Sequence, residues 1–121
     1  MANTFKVVTF AAEPASAGTA YKMYTVAGST TTVVLGLIIS NIHSAAVTVE
    51  VELVSDTGSR GGANNVTNGT SFLVKDVTIP AGSSLELLSG GKVVMETTDY
   101  LNIDCSVADK VSGTLSIMEI T

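Results

Sequence analysis

The side chains that could do chemistry are few and scattered. His43 is the only histidine and Cys105 the only cysteine among 121 residues. A metal centre needs several ligands converging on one point, and neither a second histidine nor a free carboxylate pair stands at ligand spacing from His43, so it reads as a loop residue. Cys105 cannot form an intrachain disulfide. It follows Leu101 and Ile103 at a period of two, on the apolar side of a strand, and reads as a buried thiol rather than a nucleophile. Glu50 and Glu52 are two apart, which puts both carboxylates on one face of a strand. Acid–base work would require a sheltered cleft that shifts a pKa. Interleaved with Val47, Val49, Val51 and Leu53, they read instead as a polar outer face.

The one long polar segment, Ser55 to Ser71, has the sequence SDTGSRGGANNVTNGTS. Its glycines at 61, 62 and 69 are not followed by the Lys-Ser/Thr pair and helix of a phosphate-binding loop. Asn65-Val66-Thr67 and Asn68-Gly69-Thr70 match glycosylation acceptors, but the first residues lack the charged and apolar regions of an export signal, so these sequons read as coincidence. Its Asp and Asn oxygens are of a kind that calcium accepts, yet no metal or cofactor is assigned to them. A protruding segment of this composition is a natural place for contact with another molecule, and Arg60, Asn64, Asn65 and Asn68 are its candidate contact residues.

Composition excludes several partners. Eleven carboxylates against five lysines and Arg60 give a net charge of −5, with no basic cluster. Nucleic acid and anionic membranes are therefore not expected as ligands, since both require a patch of positive charge. Mean hydropathy is +0.44, but the longest strongly apolar run, Val33 to Ile39, is far shorter than the ~20 residues of a membrane-spanning helix. The chain is rich in Val, Thr, Ser and Gly, with 14% charged residues and no Trp, the usage of a β-sandwich.

The elements that would position these residues are short strands. Residues 1–20 read as an N-terminal strand or arm plus a small-residue linker, with Phe5 and Phe10 as candidate contacts to a partner. Residues 21–121 read as one β domain with the polar loop at 55–71. Thr31 to Asn41 is the most hydrophobic strand; strict alternation sets Val33, Leu35, Leu37 and Ile39 on one face and Val34, Gly36 and Ile38 on the other. Both faces are apolar, so the second needs cover from a partner subunit or from the chain itself. Phe72 to Cys105, punctuated by Pro80-Ala81-Gly82, Ser89-Gly90-Gly91 and Thr97-Thr98-Asp99, reads as a β-meander with a bulge near Lys75 or Asp76. Val111, Leu115 and Ile117 point inward in the last strand. The total is an all-β, antiparallel β-sandwich or jelly roll of about eight strands in a single domain.

Several strings carry a family resemblance: Val77-Thr78-Ile79-Pro80-Ala81-Gly82-Ser83-Ser84-Leu85-Glu86-Leu87, then Gly90-Gly91-Lys92-Val93-Val94-Met95-Glu96, Asp99-Tyr100-Leu101 and Leu115-Ser116-Ile117-Met118-Glu119-Ile120. With Tyr24-Thr25-Val26 and Val47-Thr48-Val49 upstream, the pattern over residues 20–121 resembles small virion structural proteins of tailed bacteriophages. The resemblance implies a non-enzymatic virion component located on the particle and assembled in the host cytoplasm. It would be a capsid decoration (cement) protein bound to the major capsid protein, or a neck- or tail-associated protein. Decoration implies a homo-oligomer, with a trimer favoured and Val34, Ile38, Met118 and Ile120 near its axis. A tail-tip module reading host-surface glycans is the alternative of a different class; Phe72 and Tyr100 are the aromatic residues near its candidate rims.

Overall fold

The computed structural model describes residues 2–55 and 69–121. Among these residues nine strands follow in order: β1 (Asn3–Glu13), β2 (Tyr21–Thr25), β3 (Thr31–Asn41), β4 (Val47–Val54), β5 (Thr70–Ile79), β6 (Ser84–Leu87), β7 (Val93–Met95), β8 (Tyr100–Cys105) and β9 (Val111–Ile120). They form two antiparallel sheets. The first has the order β1-β9-β3-β6, with β7 also on β3; the second has the order β2-β8-β4-β5. Because β6 and β7 lie one after the other along the same edge of β3, they fill a single position. The result is an eight-position jelly roll.

This topology corrects the meander expected between Phe72 and Cys105. In a meander each strand pairs with the next, whereas β5 belongs to the second sheet, β6 and β7 to the first, and β8 to the second again. The turns are where the sequence puts them: Ser83 N–H donates to the Pro80 carbonyl at 3.1 Å, and Gly82 takes a φ of +70°. Turn residues mark a reversal of the chain without saying which sheet the chain enters next.

Strict alternation in β3 fails at one residue. Val34 pairs with Ile117, but the next pair is Gly36 with Ser116, leaving Leu35 as an extra residue on β3. A bulge of this kind shifts the phase of every side chain beyond it. Val34 therefore joins Leu37 and Ile39 in the core, each at 1% exposure or less, and cannot meet a partner near an oligomer axis. The break is matched across the sheet: β7 pairs with β3 before the bulge and β6 after it.

The core lies between the sheets. Val34, Leu37, Ile39, Met95, Val111, Leu115 and Ile117 from the first face Val47, Val49, Val51, Ile79, Leu101, Ile103 and Cys105 from the second. Asn41, also buried, joins the sheets at one end: its side-chain amide donates to the carbonyls of Ala45 and Ile79, both at 2.9 Å. Residues 3–13 belong to this sandwich, β1 being paired with β9 from Asn3 to Phe10 and again at Glu13. Phe10 is consequently not a partner contact but a core residue, 8% exposed. Its ring packs against Tyr21, with centroids 5.3 Å apart, and covers Gly113, where a Cβ would collide with it.

That pairing of a large ring with an absent side chain generates a prediction for equilibrium urea unfolding. Phe10→Ala costs about 3–5 kcal/mol through the cavity it leaves, and Gly113→Ala about 1–3 kcal/mol through overpacking. The double variant costs less than the sum, because the methyl group enters the vacated space. Strict additivity would show that ring and glycine do not share this contact.

Candidate functional site

The two outer faces of the sandwich are chemically unlike. Alternation in β4 and β8 sends Thr48, Glu50, Glu52, Asn102 and Asp104 outward on the second sheet, opposite the buried Val49, Val51, Ile103 and Cys105. Lys75 lies 3.2 Å from Glu50 and 4.6 Å from the Phe72 ring centroid. Its hydrogen bond to Glu50 holds its pKa above the ordinary lysine value. Lys22 lies 4.0 Å over the Tyr100 ring. The bulge expected near Lys75 falls there, with Asp76 at a φ of +52°.

Beside this charged face lies a cleft of about 210 Å³, lined by Gly18, Thr48, Glu50, Asp76, Asp104 and Ser106 among others. Two of its polar side chains are occupied by backbone donors, and Glu50 by Lys75. Asp104 Oδ1 accepts the Gly18 N–H at 3.1 Å and the Cys105 N–H at 2.8 Å, and Ser106 Oγ accepts the Thr48 N–H at 3.0 Å. Among the described residues no three His, Cys, Asp or Glu side chains converge in a way that could hold a metal ion. His43 stands in the β3–β4 turn, its N–H donating to Asn41 Oδ1 at 2.8 Å.

The outer face of the first sheet is apolar and almost uncharged. Cross-strand register aligns Phe5, Met118, Val33 and Val94 in one row across β1, β9, β3 and β7. Val7 stands beside Ser116 in the next row, and Ile38 beside Thr114 and Glu86 in the row beyond. Phe5 is 72% exposed, Val7 63%, Val94 62% and Ile38 43%, so four of the six exposed large hydrophobic residues described share this face. Ile38, Met118 and Ile120 lie on this same face, Ile38 two rows beyond Met118, and Phe5 shares it. Val34 and Phe10 do not, and Arg60, Asn64, Asn65 and Asn68 lie outside the described residues. The sequence reading missed Val94, although its place between inward Val93 and Met95 was a signal.

It also missed a polar network at the end of the sandwich opposite Asn41. Tyr24 on β2 donates its hydroxyl proton to Glu119 Oε2 at 2.5 Å and lies 2.7 Å from Thr32 Oγ1, while Lys6 Nζ sits 2.6 Å from Glu119 Oε1. Four strands of both sheets meet here. A carboxylate at 119, following Leu115 and Ile117 at a period of two, was the available signal: a charge at an inward position needs partners. Hydrogen bonds from Lys6 and Tyr24 hold the Glu119 carboxyl below the usual carboxylate range. Burial, then the bond to Glu119, pushes the Tyr24 phenol up to about 12.

Both shifts fix the sign of a pH dependence. The folded state lowers the Glu119 pKa, so its contribution is present above the unfolded carboxylate pKa and is lost as pH falls through the folded value. The Tyr24 pKa is raised, so that contribution is complete below pH 10 and is lost as pH rises towards 12. Tyr24→Phe should cost about 1–3 kcal/mol at neutral pH, as for a hydrogen bond to a charged group. It should also remove from an ultraviolet absorbance titration the amplitude that appears near pH 12. Amplitude lost near pH 10 instead would show that Glu119 does not hold this proton.

No family model matches the chain, and no curated protein or solved structure matches it.

Proposed function

We propose that this chain is a non-enzymatic structural protein of a tailed-bacteriophage virion, a capsid decoration protein that binds the major capsid protein as a homo-oligomer. The single observation that carries the reading is the unlike character of the two outer faces. A free monomer gains nothing from an exposed row of Phe5, Met118, Val33 and Val94, because apolar surface held in water is a standing cost. A protein that spends its working life in a symmetric assembly covers such a face and turns the charged one to solvent or to the shell. The IPAG turn at Ile79 to Gly82 and the Leu85-Glu86-Leu87 strand, on which the phage resemblance rests, lie where the chain crosses from the second sheet to the first.

Jelly rolls serve capsids, lectins and enzymes alike, so the architecture alone does not choose among them. One observation weighs against the glycan-reading alternative. Sugars rest on bare aromatic faces, and the two rings available on the charged face, Phe72 and Tyr100, each have a lysine ammonium over them. A neck or tail position remains the second reading, distinguished from decoration by stoichiometry.

The test is the copy number of this chain per purified virion, measured by quantitative mass spectrometry against the major capsid protein. Decoration predicts about one copy per capsid subunit, or a fixed simple fraction of it. A handful of copies per particle would move the protein to the neck or tail, and absence from the particle would end the virion reading.

A further inference from the structure

We infer that the outer face of the first sheet is the binding site for a second copy of this chain, packed face to face about a two-fold axis that runs along the strands. This deepens the self-association part of the proposed function and rests on that part alone.

The apolar row is self-complementary under that rotation. Turning a copy about an axis parallel to the strands exchanges the β1 edge with the β7 edge and leaves height along the strands unchanged. Phe5 then lands over the second copy's Val94, and Met118 over the second copy's Val33, each contact occurring twice. The rows on either side are uncharged, Val7 beside Ser116 in one and Ile120 between Asn3 and Thr31 in the other.

Charge points to the same occupant. The chain carries a net charge of −5, and two copies brought together through the face bearing Glu50, Glu52 and Asp104 would oppose carboxylates. The rows of the first sheet's outer face carry Glu86 alone, in register with Ile38 and towards one margin. Like charges are thus kept apart in the face-to-face arrangement, whereas a strongly charged partner would find nothing to pair with.

The area suffices. Four strand positions ~4.8 Å apart and ten residues of ~3.4 Å each give a sheet face of about 650 Å². Two such faces total about 1,300 Å², at the lower end of the ~1,200–2,000 Å² of a standard stable interface, and aligned sheets pack about 10 Å apart. A three-fold ring, by contrast, joins two different patches on each subunit. The large exposed hydrophobic residues described away from this face are Ile42 and Phe72, the latter lying beneath Lys75. Neither forms a second patch. The described faces thus favour a two-fold pair over the trimer that the sequence resemblance implies.

The experiment is multi-angle light scattering on the full chain during size-exclusion chromatography, at concentrations of tens of micromolar. The expected mass is twice the 12.4 kDa of one chain. Phe5→Lys and Val94→Glu, each made alone, should raise the dissociation constant of the pair at least tenfold with an unchanged circular dichroism spectrum. Together in one chain they should restore the pair, because each new lysine meets a new glutamate of the other copy. A monomer, a mass of three chains, or a combined variant no tighter than the single ones would overturn the inference. These outcomes are independent of virion copy number: a pair absent from particles keeps this inference and removes the virion reading, whereas a monomer present on them keeps the virion reading and removes this inference together with the self-association part of the proposed function.

Discussion

One extra residue in β3 decides which way the hydrophobic side chains of the sandwich point. Leu35 has no opposite number on β9, and the phase shift it introduces lets Val34 enter the core together with Leu37 and Ile39 while Val33 and Ile38 remain outside. Without the bulge, one half of β3 would turn its apolar residues out and bring the others in, and no single register with β9 could fill the interior. The same residue explains why the facing edge comes in two pieces, since no straight strand can follow both halves of a β3 that changes phase midway. β6 and β7, with Leu88 to Lys92 between them, follow one half each.

The polar groups inside the sandwich complete what packing begins. Asn41 fastens the first sheet to the carbonyls at the end of β5, and Tyr24, Thr32, Glu119 and Lys6 fasten the opposite end. Among the described residues no buried side-chain nitrogen or oxygen lacks a hydrogen-bond partner. Satisfied networks of this kind fix the relative position of two sheets more sharply than hydrophobic contact, which has no preferred direction. The apolar outer face is therefore presented on a frame held at both ends.

Much of this was legible in the sequence, and the failures have identifiable causes. Alternation in Val47–Leu53, Leu101–Cys105 and Val111–Ile117 gave the inward residues of β4, β8 and β9 because the extra residues at the bulges sit on their partners β5, β2 and β3 and leave these strands' own period of two unbroken. The same rule misplaced Val34, since a bulge leaves no mark in a run where both neighbours are apolar. Phe10 was set apart with a supposed arm because its support, the bare backbone of Gly113, is a contact across a hundred residues that periodicity cannot register. The apolar outer face was anticipated in part, through Ile38 on β3 and Met118 and Ile120 on β9. Its full row needed the pairing of β1 and β7, which only topology supplies. Tyr24 and Glu119 come from strands of different sheets, and local spacing contains nothing that would join them.

The pairing of β1 with β9 also governs how the molecule comes into being. The first strand of the chain is held in its sheet by the last, with Asn3 opposite Ile120 and the backbones of Ala2 and Thr121 bonded in both directions. Local contacts form quickly during folding and distant ones slowly, so during synthesis β1 waits while every intervening strand is made. For that interval Phe5, Val7, Val8 and Phe10 have no sheet to join, and an unpaired apolar strand is a template for aggregation. Lys6, in their midst, gives the waiting segment a charge, and the same ammonium later closes on Glu119 once β9 arrives.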